Sequence, residues 1–232
     1  MNLNTDWQQR TEMLIGTYGL HRLRKARVII FGLGGVGGSA AEALARTGIG
    51  TLGLVDKDIL EETNLNRQII ALRSTLGKPK VEVMAARIRD IDPSIDITTY
   101  HQLYLPETAN EIPLDSYDYV IDAIDNVTGK IELICRCHQQ GIPLISSMGM
   151  GNRLDPLEIR VADIFETQVC PLAKVMRKEL RQREIPRLRV VYSLENPVKQ
   201  TPPGSMAFVP PVAGMVMACQ VVKTLLEDVD ES

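Results

Sequence analysis

Phe31-Gly32-Leu33-Gly34-Gly35-Val36-Gly37-Gly38 lies between an apolar run of strand length, residues 26–31, and a helical segment, residues 36–46. In that context a glycine-rich string is a phosphate-binding turn. The missing Cβ atoms let the backbone approach a ligand, and the first-turn amides with the helix dipole favour an anion. Gly32, Gly34, Gly35 and Gly37 are therefore candidate nucleotide contacts.

The same alternation continues outward from this turn. Residues 51–55 read as a strand, and residues 80–91 as a helix with Val81, Met84, Ala85, Ile88 and Ile91 recurring at three- and four-residue steps. Strands follow at 95–100 and 117–123, then a helix at 126–140 ended by Gly141, then a strand at 142–146. This is the pattern of an α/β fold, a Rossmann-like and mostly parallel sheet with helices on both faces. After Ser147 the pattern changes: strands at 157–162 and 188–193 flank a helix at 171–183, and a Pro- and Gly-rich stretch at 195–205 reads as a mobile loop. A last helix covers about 211–226. We expect one domain over 1–232, with an N-terminal helical arm (1–25), a nucleotide-binding core (26–150) and a smaller C-terminal α+β lobe (151–232).

Of the 232 residues, 44% are hydrophobic and 24% charged, which excludes bulk disorder. The net charge of -3 excludes a globally basic nucleic-acid coat but not a local patch. Cys135, Cys137, Cys170 and Cys219 form no CxxC pair, so neither a disulfide framework nor a two-knuckle zinc site is expected, and a cytoplasmic location is. The segment Met1 to Trp7 lacks the basic and apolar regions of a signal peptide. The longest apolar run, 208–222, contains Pro210, Pro211 and Gln220 and falls short of the roughly 18 residues that span a bilayer, so it reads as a buried helix rather than a membrane anchor.

Asp56 ends the second strand 24 residues after Gly32, where a carboxylate can accept hydrogen bonds from a ribose diol. An NAD enzyme fits this much. The run from Asp56 and Asp58 to Arg67-Gln68, followed by Gly77-Lys78-Pro79-Lys80, separates the readings. A dinucleotide pyrophosphate carries about two negative charges and one helix terminus largely satisfies it, whereas ATP carries about four and needs cations as well. Arg67 and Lys80 can supply them, although each alone also fits a solvated surface pair. A later strand ends in Asp122-Ala123-Ile124-Asp125-Asn126 at the carboxyl edge of the sheet. Asp125 there is a natural magnesium ligand beside a triphosphate, and Asp58, Asp122 and Asn126 join the nucleotide-contact candidates.

Taken together, GLGGVG, DKDILEETNLNRQ, GKPK and DAIDN resemble the ubiquitin-activating-enzyme superfamily, also called the ThiF/MoeB/HesA family, whose members adenylate a carboxylate. The resemblance implies ATP contacts from Asp56, Asn64, Arg67, Gln68 and Lys80, and a magnesium ion at Asp125. It also implies a homodimer in which Arg10, in the motif Arg10 to Gly16, reaches the phosphates bound by the opposite subunit. Within the superfamily, ALARTGIGTLGLVD, NRQIIAL, YDYVIDAIDNVTGK, Asp155-Pro156 with Ile159, and VVYSLE are similar to enzymes that act on threonylcarbamoyladenosine in tRNA, from about Arg10 to Leu226. Two departures stand out: Cys170 occupies a position where an acidic residue is expected before Pro171, and the longer hydrophobic tail of some relatives is missing, which points to a soluble enzyme.

The implied chemistry assigns Arg67, Lys80 and Arg10 to phosphate charge, Asp125 to magnesium, Asp56 to ribose, and Gly34 and Gly35 to backbone approach. It demands no nucleophilic cysteine, so Cys170 is expected to be an ordinary loop cysteine, and His21, His101 and His138 have no partner at catalytic spacing. The implied cofactors are ATP and Mg2+, without zinc, and the implied partner is tRNA carrying threonylcarbamoyladenosine. The competing reading is activation of the C-terminus of a ubiquitin-like sulfur-carrier protein, whose enzymes often carry two CxxC pairs. A non-catalytic nucleotide-binding scaffold is the third, and a sulfur-transfer partner protein is a further candidate associate. A tRNA needs a cationic surface. Lys174, Arg177, Lys178 and Arg181, with Arg183, Arg187 and Arg189, face only Glu179 and Glu184 in the same stretch. Few aromatic residues accompany them, which favours contact with the RNA backbone over base readout.

Overall fold

The computed structural model describes residues 6–227. After a short 3-10 turn the elements are α1 (Gln9–Lys25), β1 (Arg27–Phe31), α2 (Gly35–Thr47), β2 (Thr51–Val55), α3 (Lys80–Ile91), β3 (Asp96–Tyr100), β4 (Tyr119–Asp122), α4 (Val127–Gln140), β5 (Leu144–Ser147), β6 (Ile159–Asp163), α5 (Pro171–Gln182), β7 (Arg189–Ser193) and α6 (Val209–Glu227). They form one seven-stranded sheet in the order β3-β2-β1-β4-β5-β7-β6. Every pairing is parallel except β6 with β7. The chain moves from β1 outward to β2 and β3, then returns to the other side of β1 for β4, so the strand order reverses at β1. Such a reversal opens a crevice at the carboxyl ends of the strands.

Alternation along β1 explains the two layers of helices. Val28 and Ile30 pack into the cluster that holds Ala40, Leu44, Met84 and Met217 from α2, α3 and α6. Ile29 and Phe31 point to the opposite face, with Leu133 of α4 and Tyr104, whose ring meets Phe31 edge-on at 4.8 Å between centroids. Both faces of the strand are buried, which is why it reads as a continuous apolar run. Helix α2 is rich in small residues, and its partner α6 approaches closely: a Cβ at Gly214 would overlap the Val36 carbonyl oxygen.

The expected elements occur with ends shifted by a few residues. Strand β4 starts at Tyr119 because 114–116 form a 3-10 turn, and β6 starts at Ile159 because Asp155 caps another over 156–158, accepting a hydrogen bond from the Leu157 N–H at 2.8 Å. Gly141 ends α4 in a left-handed conformation, as its position suggests. The C-terminal lobe is not set apart by a sheet of its own, since β6 and β7 complete the common sheet. Its separate feature is a cluster around α5 in which Met176, Leu180, Val190 and Tyr192 meet Ile134 of α4. The expected mobile loop is irregular and tied down: Asn152 exchanges backbone hydrogen bonds with Gly204 and Val198, each 2.8 Å.

Two further expectations need qualification. The first five residues of the N-terminal arm lie outside the described residues, and the arm bends at Gly16, whose φ of 72 breaks α1. Helix α6 runs for 19 residues, longer than the apolar run alone suggests, and is long and apolar enough to cross a membrane by length and composition. Its Ala213, Gly214, Met217, Ala218 and Val221 nevertheless form a buried face, in contact with α2, α1, β5 and β7.

Candidate nucleotide site

A cleft of about 1040 Å³ opens at the carboxyl ends of β1, β2, β4 and β5. The glycines of the first turn divide into two kinds there. Gly32 has φ +85 and a Cβ on it would lie 2.6 Å from the Ala123 carbonyl oxygen, and a Cβ on Gly37 would overlap the Gly32 oxygen. These two let the turn and α2 pack. Gly37 does not line the cleft, which corrects its expected role as a contact. Gly34 is the open position: a Cβ there would meet nothing closer than Gln68 Nε2 at 3.9 Å. It is also the N-cap of α2 and supplies no capping side chain, so the helix end is left to an anion.

Asp56 sits beside this turn. Its Oδ2 accepts the Leu33 N–H at 2.6 Å and its Oδ1 accepts the Asp58 N–H at 2.8 Å, so the carboxylate is fixed and each oxygen retains a lone pair for a ligand hydroxyl. Residues 58–60 run against 78–80 through an isolated bridge between Ile59 and Pro79 and a 3.0 Å bond from Lys80 N–H to the Asp58 carbonyl. That pairing carries Lys80, only 5% exposed, into the cleft wall. Its Nζ lies 2.8 Å from Asp58 Oδ2 and 4.0 Å from Asp56 Oδ2. Burial pushes the Asp58 carboxyl upward, but the hydrogen bond and charge of Lys80, and then of Lys57, outweigh it and hold the group below its ordinary value.

Asn64 helps to build the next wall. Its Oδ1 accepts the Glu61 N–H at 3.1 Å in a capping box, and its carbonyl accepts the N–H groups of Arg67 and Gln68. Arg67 lines the cleft while its Nη1 donates to the Thr63 carbonyl and Asn66 Oδ1 at 2.9 and 2.8 Å. Gln68 is buried, and its Oε1 has no hydrogen-bond partner among the described residues; Gln102 Nε2, Tyr104 Oη and Ser205 Oγ, also in the wall, are in the same position. Unpaired buried polar atoms cost about 1–3 kcal/mol each, so four in the wall of one cleft mark it as a place where the fold leaves polar capacity unfilled.

After β4 the expected residues part company. Asp125 is exposed at the lip, and its carboxylate accepts no hydrogen bond among the described residues. Asn126 lines the cleft as the N-cap of α4, accepting the Gly129 N–H at 2.9 Å. Asp122 does not reach the cleft. It is 0% exposed, 2.8 Å from Lys130 Nζ and 2.7 Å from Ser146 Oγ, which corrects its assignment as a nucleotide contact. Lys130, which the sequence reading missed, also donates to the Ser147 carbonyl at 3.0 Å and so ties α4, β4 and β5 beneath the cleft floor. The signal was present as a lysine in the first turn of a helix following a strand-end acid.

Arg10 is exposed on α1 and does not line this cleft. On α5, Lys174, Lys178 and Arg181 are exposed at helical spacing, with the Arg181 guanidinium 5.2 Å from the Phe165 ring centroid. Arg177 turns back instead, donating to the Thr167 hydroxyl and carbonyl, so it leaves the outward set. Cys170 is buried as the N-cap of α5. Among the described residues no group of three or more His, Cys, Asp and Glu is placed to hold a metal ion. The sequence reading also missed Gln102, Tyr104 and the segments 149–151 and 203–205, which reach the cleft from distant loops without a recognisable motif.

Known proteins resemble this chain over its whole length. The tRNA threonylcarbamoyladenosine dehydratase of Bacillus subtilis is 43% identical over 241 residues, covering 95% of each chain. A structure of E. coli tRNA N6-threonylcarbamoyladenosine dehydratase, TcdA, in complex with AMP superposes with a TM-score of 0.93 at 35% identity, covering 100% of both chains. A complex of the same E. coli enzyme with ATP gives 0.90 at 36% identity over 98% of both. The family model for ThiF matches residues 8–232, and this chain belongs to the ThiF family.

Proposed function

We propose that the protein is a tRNA threonylcarbamoyladenosine dehydratase, which uses ATP to adenylate the carboxylate of threonylcarbamoyladenosine in tRNA and then closes a ring with net loss of water. The observation that carries this reading is the cleft at the strand-order reversal, where the uncapped end of α2, Lys80 and Arg67 surround one space. Whole-chain likeness to an ATP-binding dehydratase supports it.

A free carboxylate is a poor electrophile, because attack on it adds charge to an anion and would expel oxide or hydroxide. Adenylation removes both obstacles. A carboxylate oxygen attacks the α-phosphorus of ATP and pyrophosphate leaves; a neighbouring group of the same side chain then attacks the acyl carbon and AMP leaves. Such steps depend on positioning and charge stabilisation more than on a protein nucleophile. Asp56 orients the ribose, the α2 amides and Gly34 admit the phosphates, and Lys80 and Arg67 stabilise the charge that develops on them.

Mg2+ binds through one or two carboxylates plus phosphate oxygens rather than in an all-protein cage. The unengaged carboxylate of Asp125 at the lip fits that pattern, and Asp125 would hold the ion, which would neutralise charge on the departing pyrophosphate. Arg10 completes the phosphate set only if a second copy brings it. Exposed Met13, Leu14 and Tyr18 beside it on α1 suit burial in a homodimer. Lys174, Lys178 and Arg181 present the cationic face for the tRNA backbone, and the free cysteines suit a reducing cytoplasm. A sulfur-transfer partner is not required by this chemistry.

The test is incubation of labelled ATP and Mg2+ with tRNA that does or does not carry threonylcarbamoyladenosine. AMP and the cyclised nucleoside should form only with the modified tRNA. AMP formed only with a ubiquitin-like protein would overturn the assignment, as would nucleotide binding without turnover.

A further inference from the structure

The floor of the nucleotide cleft forks between β4 and β5. Their parallel register ends at the pair Asp122 and Ser146. Beyond that pair each chain keeps only its outer neighbour: the Ala123 N–H donates to the Phe31 carbonyl of β1, and the Met148 N–H to the Val191 carbonyl of β7, both at 2.8 Å. Among the described residues no backbone hydrogen bond joins 123–126 to 147–149. Both segments line the cleft, the first with Asp125 and Asn126 and the second with Met148 and Gly149. Their separation is therefore set by side chains.

Lys130 stands at this fork, 0% exposed and outside the cleft lining. Its Nζ meets Asp122 Oδ2 at 2.8 Å, Ser146 Oγ at 3.1 Å and the Ser147 carbonyl at 3.0 Å. An ammonium has three N–H donors, so these acceptors use all of them and leave none for a ligand. Asp122 Oδ1 accepts the Ile124 N–H at 3.1 Å, which fixes the start of the turn that leads to Asp125. The network thus grips one branch through Asp122 and the other through the Ser147 carbonyl, one residue past the end of the ladder. Well-packed apolar residues in place of a buried ion pair often serve stability as well or better. They cannot hold two backbone segments at hydrogen-bond distance from one another.

We propose that Lys130 is a positioning residue for adenylation: acting through Asp122 and Ser147, it sets the width of the fork and so keeps the substrate carboxylate and the α-phosphorus within reach across the cleft. The inference rests on the function proposed above and deepens it. A misplacement of about 1 Å can cost about 100-fold in rate. The affinity for AMP, which Asp56 and Gly34 receive from the ends of β2 and β1, should hardly depend on the fork.

The experiment compares the full-length wild type with Lys130→Met and with the double variant Lys130→Met, Asp122→Asn, in denaturant unfolding, in AMP binding by calorimetry, and in adenylation of tRNA carrying threonylcarbamoyladenosine. The double variant removes the unpaired charge and should regain most of the stability. Its AMP affinity and KM for ATP should stay within about threefold of the wild type while kcat remains about 30-fold lower or more, the split expected when only transition-state geometry is lost. Lys130→Arg keeps the counter-charge and covers the case in which the double variant does not fold. Its wider, planar group cannot meet the same three acceptors, and kcat should fall about tenfold with AMP affinity retained. Recovery of kcat together with stability in the double variant would overturn the positioning role, as would a parallel loss of AMP affinity. If only Lys130→Arg folds, wild-type kcat from it would overturn the role as well. A wild type that forms no AMP with the modified tRNA would end the proposed function and this inference with it, whereas the variant results alone decide the role of Lys130.

Discussion

Asp56 and Asp122 close the two strands that flank β1, and they do opposite work. Asp56 accepts hydrogen bonds from backbone N–H groups, with Lys80 Nζ at 4.0 Å, and keeps lone pairs for the cleft. Asp122 is sealed behind β4, with Lys130 and Ser146 as partners. The cleft side of the sheet leaves its carboxylate beside open space with a lysine at ion-pair distance, and the supporting side seals its carboxylate in a buried pair. An acid at the carboxyl end of a strand thus faces the cleft only where the fold has not closed it into such a pair.

The sharpest way to break this contrast is to remove one partner on each side. Lys130→Met should cost about 3–5 kcal/mol of stability in denaturant unfolding, because it leaves Asp122 buried without its cation, and adding Asp122→Asn should restore much of the loss. If the single change proves mild, the pair is not the support described. On the ligand side, Arg67→Ala should lower turnover about 100-fold or more with little change in unfolding midpoint, the pattern of a group that stabilises transition-state charge. Equal loss of stability and activity would place Arg67 in the structural set instead. Cys170→Ala should leave most of the turnover, and its loss in a folded variant would call for a nucleophile.

The smallest effect concerns pH. The Asp58 carboxyl is held below its ordinary value in the folded protein, so its contribution is fully present above that ordinary value, about 3.9, and is lost as pH falls through the lower folded value. Asp58 is partly exposed, so the contribution is small, in the range of about 0–1 kcal/mol. Unfolding midpoints measured from pH 6 down to 3 should fall less steeply for Asp58→Asn than for the wild type. Parallel profiles would remove Lys80 and Asp58 as an electrostatic unit.

Much of the nucleotide half was legible because it is local in sequence. Gly32 to Gly38 name their own turn, and the stretch from Asp56 to Lys80 folds against itself through Ile59 and Pro79. Strand order could not be read residue by residue, but it follows from βαβ units that return to the other side of β1. Asp122 was misread because one residue pattern serves both a cleft and a buried pair, and only the position of Lys130 distinguishes them. Arg177 was misread because helical spacing does not reveal that Thr167 lies within its reach. The far wall of the cleft was hidden for a different reason: Gln102, Met148 and Ser205 converge from segments far apart in the chain, and none carries a spacing that announces the others.

The central claim is that a substrate carboxylate oxygen becomes bonded to the α-phosphorus of ATP. Modified tRNA labelled with 18O in both carboxylate oxygens, converted in a single turnover, tests this most directly by mass spectrometry of the products. The account predicts that the released AMP contains one 18O atom and that pyrophosphate contains none. Unlabelled AMP, or label appearing in any other phosphate-containing product, would contradict it.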